Sequence, residues 1–181
     1  MKTVLIEPAT EGRGSSLRLI ADSAITPPGR PVFLPDTTPD WTVGIYLAVK
    51  VSRLGKNIAP KFAHRYFDMF TLVALLQPAH DLPDAPAGFG LLMDNALTAG
   101  PWMPVDDFPT PITIDASDAQ TTIDNLKDIL SQAVVEISRY ATLKTGDLIL
   151  PLRLNAPLPV TIGSEIKASI NGTPVINMKI K

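Results

Sequence analysis

The stretch WTVGIYLAVKVSRLGKNIAP, residues 41–60, decides the fold. In its first eleven residues aliphatic side chains such as Val43 and Ile45 alternate with a second set that begins with Gly44 and Tyr46. Because successive side chains of a strand point to opposite faces, the alternation predicts one long strand with a wholly aliphatic face. The purpose of the second face decides whether the protein is an enzyme.

Length and composition indicate one globular domain over residues 1–181, since 45% of the residues are hydrophobic and 19% are charged. The net charge of −2, with no basic patch, argues against a nucleic-acid partner. The chain has no cysteine, which excludes disulfides, thiolate metal sites and cysteine nucleophiles. The apolar run Val4–Ile6 is too short for a signal-peptide core or a membrane span, so we expect a cytoplasmic protein without membrane contact.

The spread of 18 prolines and 11 glycines predicts many short elements joined by turns, as in a β-rich protein. We expect strands near residues 2–7, 32–34 and 147–154, and a hairpin turning at Asn171-Gly172. A helix is expected after Pro60, and the apolar run 70–76 fits a buried strand, which we favour, or a continuation of that helix. Thr121 and Asp124 resemble a capping pair for the clearest helix. The apolar stripe of that helix consists of Ile123, Leu126, Leu130, Val134, Ile137 and Ala141.

Motifs for dinucleotide binding, phosphate loops, zinc proteases and serine hydrolases are absent from the sequence. His80 lies beside Asp81 in a proline-rich segment, where a general base is possible but a solvated loop is the more ordinary interpretation. Asp94 fits a turn cap better than a site residue, and Asp106–Asp107 fit a solvated turn. His64 lies in a helical pattern, which is typical of a packed or surface histidine.

Three segments resemble the fumarylacetoacetate hydrolase family, in particular its short bacterial members. They are SRLGKNIAPKFAHRYFDMFTL (52–72), MDNALTAGP (93–101) and RYATLKTGDLIL (139–150). The likeness runs in order from Arg18 to about Lys181. It implies an α+β, β-rich domain built on a mixed β-roll with a few helices.

The resemblance also implies a site for a divalent cation, Mg²⁺ or Mn²⁺ in the family, held by two glutamates on one strand and an aspartate on a later one. Hard oxygen ligands of this kind suit a hard cation, which polarises the oxygens of a small 2-oxo acid. Matched to the family pattern, the three ligand positions fall on Gly44, Tyr46 and Leu75. None of these side chains offers a carboxylate, so we expect no metal cofactor here.

Other departures from the family pattern agree with this loss. Expected lysines are replaced by Ile20 and Leu91, the loop ATEGRG (9–14) is short, and PLRL (151–154) stands where TGTP is usual. Between Glu11 and Glu136 the chain contains no glutamate, so shifting the match by one residue finds no Glu-x-Glu pair. We expect Tyr46 to pack its ring into the former cavity, with its hydroxyl towards solvent or a partner.

Two functions therefore stay open. The first is a non-catalytic family member with a binding or structural role, retaining Gly44, Tyr46 and Leu75 as a vestigial pocket. The second is a hydrolase, isomerase or decarboxylase that acts on a small 2-oxo acid without metal, through Tyr46, His80 and Asp94.

The expected partners follow from the same resemblance. Members of the family usually pair, and an apolar excess often covers an interface, so we expect a homodimer. A small-molecule ligand in the residual pocket and an active paralogue are further candidates.

Overall fold

The stretch that opens the sequence analysis forms a central strand, β4 (Trp41–Val51), in the computed structural model of the protein. The structure describes residues 1–7, 15–26, 30–38, 40–80, 82, 84–117 and 119–181. Val43, Ile45, Leu47 and Val49 are fully buried, as the aliphatic alternation predicts. Strand β5 (Phe67–Pro78) pairs with β4 along its whole length, so the two strands form the long hairpin on which the sheet is built.

The remaining elements are short. The other strands are β1 (Thr3–Glu7), β2 (Ser16–Ile20), β3 (Ile25–Thr26), β6 (Leu97–Ala99), β7 (Met103–Pro104), β8 (Ile112–Ala116), β9 (Ala119–Ile123), β10 (Leu148–Arg153), β11 (Leu158–Val160), β12 (Glu165–Ile170) and β13 (Thr173–Lys179). Within the described residues the α-helix is α1 (Leu126–Tyr140), and four 3₁₀ helices span Asp22–Ala24, Pro60–Arg65, Phe89–Leu91 and Val105–Asp107.

Nine strands form one mixed sheet in the order β2-β1-β10-β4-β5-β6-β3, with β11 added beside β4 and β7 beside β5. The pairs β1–β10 and β3–β6 are parallel, and the other pairs of this sheet are antiparallel. A second sheet has the order β13-β12-β8-β9. The expected α+β, β-rich fold with a mixed sheet is confirmed.

The helix prediction is right in place and wrong at its start. Leu130, Val134 and Ile137 face the core of α1 as the stripe predicts. Thr121 is not a helix cap, because it belongs to β9, and Ile123 pairs with Ile112 across the β8–β9 hairpin. Pairing between β8 and β9, the two strands that directly precede the helix, therefore decides where the helical part of the apolar pattern begins.

Two other local predictions can be compared with the structure directly. The hairpin β12–β13 turns at Asn171 and Gly172, whose φ angles of 49° and 77° suit a primed two-residue turn. The helical pattern after Pro60 yields only the 3₁₀ helix Pro60–Arg65, since β5 takes over at Phe67.

The loop ATEGRG and Asp81 lie outside the described residues. None of the helices in the described parts of the chain is long and apolar enough to cross a membrane.

Candidate functional site

The three positions that match the family's metal ligands lie on one face of the β4–β5 hairpin. Gly44 pairs directly with Leu75, and Tyr46 pairs with Val73. Because directly opposed residues of an antiparallel pair share a face, Gly44, Tyr46 and Leu75 form one cluster. We call these three residues the β4–β5 cluster.

The side chain of Tyr46 occupies the space above Gly44. A Cβ atom added at Gly44 would lie 2.7 Å from Cε2 of Tyr46 and 3.0 Å from its hydroxyl oxygen. Only 3% of Tyr46 is exposed, and Leu75 is fully buried. The glycine therefore makes room for the tyrosine ring, and the two residues fill the position together.

The side chain of Tyr46 is withdrawn from solvent, with 3% of the residue exposed. Arg153 lies opposite Tyr46 in the β4–β10 pairing. Burial raises the pKa of Tyr46 above its ordinary value of 10.0, and Arg153 offsets part of that rise. Tyr46 is consequently a neutral phenol at physiological pH, with little capacity as a general base.

A divalent cation does not fit the β4–β5 cluster. Mg²⁺ and Mn²⁺ need several oxygen ligands with negative charge, whereas this cluster supplies an aliphatic chain, a backbone and a neutral phenol. The ring of Tyr46 also fills the volume in which an ion would lie above Gly44. Across the described residues, no group of three or more histidine, aspartate or glutamate side chains could hold a metal ion.

A polar cleft of about 260 Å³ lies where β5 ends. Gln77 lines it and belongs to the same face as Leu75, two residues earlier. Glu7 and Arg18 also line the cleft and form an ion pair, with 2.9 Å between the Glu7 carboxylate and Nε of Arg18. The cleft at the end of β5 thus contains charged side chains that are in contact with solvent.

Sequence candidates for a metal-independent site are not brought together. His80 is exposed at the rim of the polar cleft, while Asp94 is exposed in a separate turn and does not line it. Asp106 pairs with Lys127 at the surface, and His64 is exposed on the 3₁₀ helix Pro60–Arg65. Of these residues, His80 is the one that lines the polar cleft.

Two residues of this region were not identified from the sequence. Arg153 is one, and the other is Asn155, whose side-chain oxygen accepts a hydrogen bond of 2.7 Å from the backbone N–H of Ile45. Asn155 lies between β10 and β11, which pair with successive parts of β4. In the gap between these two strands, the backbone N–H of Ile45 would otherwise lack an acceptor. The pattern Asn-Ala-Pro at 155–157 marks a turn, but it does not indicate which strand the amide meets.

Comparison with known families gives one match, over residues 16–180, to the family described as Fumarylacetoacetate (FAA) hydrolase C-terminal. The chain belongs to the fumarylacetoacetate hydrolase family. No curated protein matches the sequence at a significant level.

Solved structures with the same fold include several members of the fumarylacetoacetate hydrolase family. The 5-carboxymethyl-2-hydroxymuconate delta-isomerase from Mycobacterium smegmatis has a TM-score of 0.81 and 18% identity, with 99% of this chain and 78% of that chain covered. Fumarylpyruvate hydrolase from Pseudomonas aeruginosa, solved with Mn²⁺ and pyruvate, has a TM-score of 0.80 and 15% identity, with 99% and 89% covered. These likenesses show the fold of the fumarylacetoacetate hydrolase family in this chain.

Proposed function

We propose that this chain is a non-catalytic member of the fumarylacetoacetate hydrolase family with a binding or structural role. The family includes hydrolases and isomerases, among them the fumarylpyruvate hydrolase and the hydroxymuconate isomerase named above. In this proposal, the β4–β5 cluster is the feature that distinguishes this chain from those enzymes.

The single observation that supports the proposal is the packing of Tyr46 on Gly44. At 2.7 Å from the ring, a Cβ atom at position 44 is too close for any larger side chain to coexist with this tyrosine placement. A glutamate at position 44 would therefore require the Tyr46 side chain to move out of its present place. The former ligand positions act as one packed unit, which is how a core behaves and not how an open metal site behaves.

The chemistry of the region supports the same conclusion. Enolate formation from a 2-oxo acid needs concentrated positive charge at the developing oxyanion, and a metal ion supplies it in many enzymes. Arg153, the neighbour of Tyr46 across the β4–β10 pairing, carries a single delocalised charge and does not replace the charge of a divalent ion. His80 and Asp94 are exposed, whereas Tyr46 is buried, and only His80 of the two lines the polar cleft.

The decisive experiment is a turnover assay on the purified chain with fumarylpyruvate and Mn²⁺, followed by ultraviolet absorbance. The fumarylpyruvate hydrolase from Pseudomonas aeruginosa is the positive control. We expect the rate with this chain to equal the rate in buffer.

Two outcomes would overturn the proposal. Turnover that requires Mn²⁺ would reveal a metal site that the β4–β5 cluster does not explain. Metal-independent turnover that Tyr46→Phe or His80→Ala abolishes would establish the alternative, a hydrolase or isomerase that acts without metal. Activity that neither variant changes points to a contaminating enzyme, which a second purification with an unrelated tag resolves.

A further inference from the structure

Another cleft, of about 330 Å³, lies where the segment 30–31 meets β6 and the end of β13. We call it the β13 cleft. It is lined by Arg30, Pro31, Thr98, Asn177, Lys179 and Lys181. Three of these side chains are cations and none is acidic, so the lining has a single sign of charge. The volume falls at the small end of the range for small-molecule sites.

The β13 cleft is separate from the positions that the family resemblance matches to metal ligands. In the β5–β6 ladder Thr98 pairs with Ala74, whereas Leu97 pairs with Leu75 of the β4–β5 cluster. Because neighbouring residues of a strand point to opposite faces, the side chain of Thr98 lies on the opposite face of this ladder from Leu75. The β13 cleft also shares no lining residue with the polar cleft at the end of β5. The family's ligand positions therefore do not account for it.

Paired backbone fixes the cations of the β13 cleft relative to one another. Val32 and Ile180 form a parallel bridge. The N–H of Val32 donates to the carbonyl of Lys179 at 3.0 Å, and the N–H of Lys181 donates to the carbonyl of Val32 at 2.9 Å. Ile180 is buried, so Lys179 and Lys181 on either side of it project to the outer face. Arg30 precedes Val32 by two residues, and this bridge therefore holds it beside the two lysines.

The positive charge of the β13 cleft exceeds the negative charge around it. Arg30 and Lys181 form no salt bridge with any side chain that the structure describes. Lys179 pairs with Glu165 at 3.1 Å, but the same carboxylate also pairs with Lys167 at 3.0 Å. Three cations of the cleft therefore have one acidic side chain as a partner, and a fourth cation shares it. A cleft lined by one sign of charge concentrates ligands of the opposite sign.

Neutral donors complete the lining of the β13 cleft. The hydroxyl oxygen of Thr98 is buried and has no hydrogen-bond partner in the described part of the chain. A buried hydroxyl without a partner costs stability, so such a group calls for an explanation. Turning the hydroxyl towards the cleft by rotation about χ1 breaks no hydrogen bond, because none exists to break. The exposed amide of Asn177 adds two further donors.

We propose that the β13 cleft binds a phosphate group, either free phosphate or the phosphate of a small molecule. A phosphate monoester carries a charge of about −1.5 to −2 near pH 7 and three strong acceptor oxygens. The fork of Arg30 suits two of those oxygens, and the lysines supply point charges. A single carboxylate has one charge and two oxygens, which leaves part of this donor set unmatched. The site is independent of whether the β4–β5 cluster is catalytic.

Isothermal titration calorimetry on the whole chain tests the proposal, with inorganic phosphate and glycerol phosphate as the two probes. Phosphate should saturate one site per chain, and succinate, a dicarboxylate, should bind about 10-fold more weakly or less. Arg30→Gln and Lys181→Gln should each raise the Kd for phosphate by about 10-fold or more. Tighter binding of glycerol phosphate than of inorganic phosphate assigns the site to a phosphorylated small molecule. Equal or weaker binding of glycerol phosphate assigns the site to free phosphate.

Two further variants separate a binding site from a general effect of charge or folding. Lys56→Gln removes an exposed cation outside the cleft, so it matches the charge change of the test variants and should leave the Kd unchanged. Thr98→Val removes the hydroxyl and should weaken phosphate binding about threefold or more without lowering the thermal midpoint, because the protein loses no hydrogen bond. Thermal midpoints also show that the Arg30 and Lys181 variants fold.

Three results would overturn the proposal. The first is that neither phosphate probe shows saturable binding. The second is that succinate binds as tightly as phosphate. The third is that Arg30→Gln and Lys181→Gln bind phosphate as the wild type does, or that Lys56→Gln weakens binding as much as they do.

Discussion

Two buried regions of the molecule, the β4–β5 cluster and the surroundings of Asp147, differ in how they handle polar groups. At the β4–β5 cluster, whose positions the family resemblance matches to carboxylate ligands, Gly44, Tyr46 and Leu75 fill the space by packing. At the start of β10 a carboxylate stays, because Asp147 is only 2% exposed and is met by donors on every side.

The donors to Asp147 come from two separate parts of the chain. The backbone N–H of Lys2 donates at 2.9 Å and that of Lys144 at 2.8 Å, and the Lys2 ammonium group pairs with the same carboxylate. The comparison teaches that a buried carboxylate persists where fixed donors or a cation satisfy it. Where the chain supplies neither, neutral side chains that pack against one another are the stable arrangement.

The largest expected effect comes from returning a carboxylate to the β4–β5 cluster. Gly44→Glu drives a side chain into the Tyr46 ring and buries a group without donors, so we expect the free energy of unfolding to fall by about 3 kcal/mol or more. Chemical denaturation measures this loss.

Thr42→Glu is the matched control, since Thr42 lies on the same face near the polar cleft and is only half-buried. There the cost should be under about 1 kcal/mol. The double variant Gly44→Glu/Tyr46→Ala should regain much of the loss because it reopens the space. Equal costs at positions 42 and 44 would contradict the packing argument.

The second effect removes the carboxylate that the core retains. Asp147→Ala leaves the N–H groups of Lys2 and Lys144 without their acceptor, so we expect a loss of about 2–4 kcal/mol. Glu165→Ala is the control, because Glu165 pairs with Lys167 and Lys179 at the surface. That variant should not measurably change the unfolding midpoint.

Acid sharpens the Asp147 comparison. Burial alone would raise the pKa of Asp147, but the hydrogen bonds from Lys2 and Lys144 outweigh it and lower the pKa below its ordinary value of 3.8. The stabilisation is therefore present above pH 3.8 and is lost as the pH falls through the folded-state pKa. In urea titrations, the free energy of unfolding of the wild type should fall in acid, whereas that of Asp147→Asn should not show this fall. If the two proteins depend on pH in the same way, Asp147 is not the source of the acid sensitivity.

A smaller effect is expected from Tyr46 at alkaline pH. Its pKa in the folded state lies above 10.0, chiefly because of burial, so its contribution is present below pH 10.0 and is lost as the pH rises through the folded value. One of the chain's three tyrosines should ionise late by ultraviolet difference absorbance, and Tyr46→Phe should remove that signal. If the Phe variant leaves the titration unchanged, the buried hydroxyl beside Arg153 is the wrong description.

The last prediction is that adding a divalent cation does not change the thermal stability of the protein. Because the β4–β5 cluster offers no anionic ligand, the thermal midpoint should stay constant within about half a degree between chelator and millimolar Mg²⁺ or Mn²⁺. The Pseudomonas aeruginosa hydrolase, solved with Mn²⁺, is the comparison protein. A saturable rise in midpoint that Tyr46→Ala abolishes would show that a metal site survives.

The sequence by itself determined the architecture and the location of the cluster. The alternation in 41–51, the apolar run before Gln77 and the pair Asn171-Gly172 each specify local structure through side-chain period or backbone preference. Segment order matched to the family then placed Gly44, Tyr46 and Leu75 near one another, and the β4–β5 register agrees.

Only the tertiary structure decided how those residues interact. The pairing of Arg153 with Tyr46 and the hydrogen bond from Ile45 to the Asn155 side chain depend on contacts between segments distant in sequence. The packing of the Tyr46 ring over Gly44 lies within one strand, but it depends on a side-chain placement that the alternation alone does not specify. The start of α1 differs from the prediction because Ile123 pairs with Ile112 in the β8–β9 hairpin directly before the helix, and this pairing overrides the helical pattern. A residue's own neighbours in sequence carry no record of such partners, because packing energy arises between segments that meet only when the chain is folded.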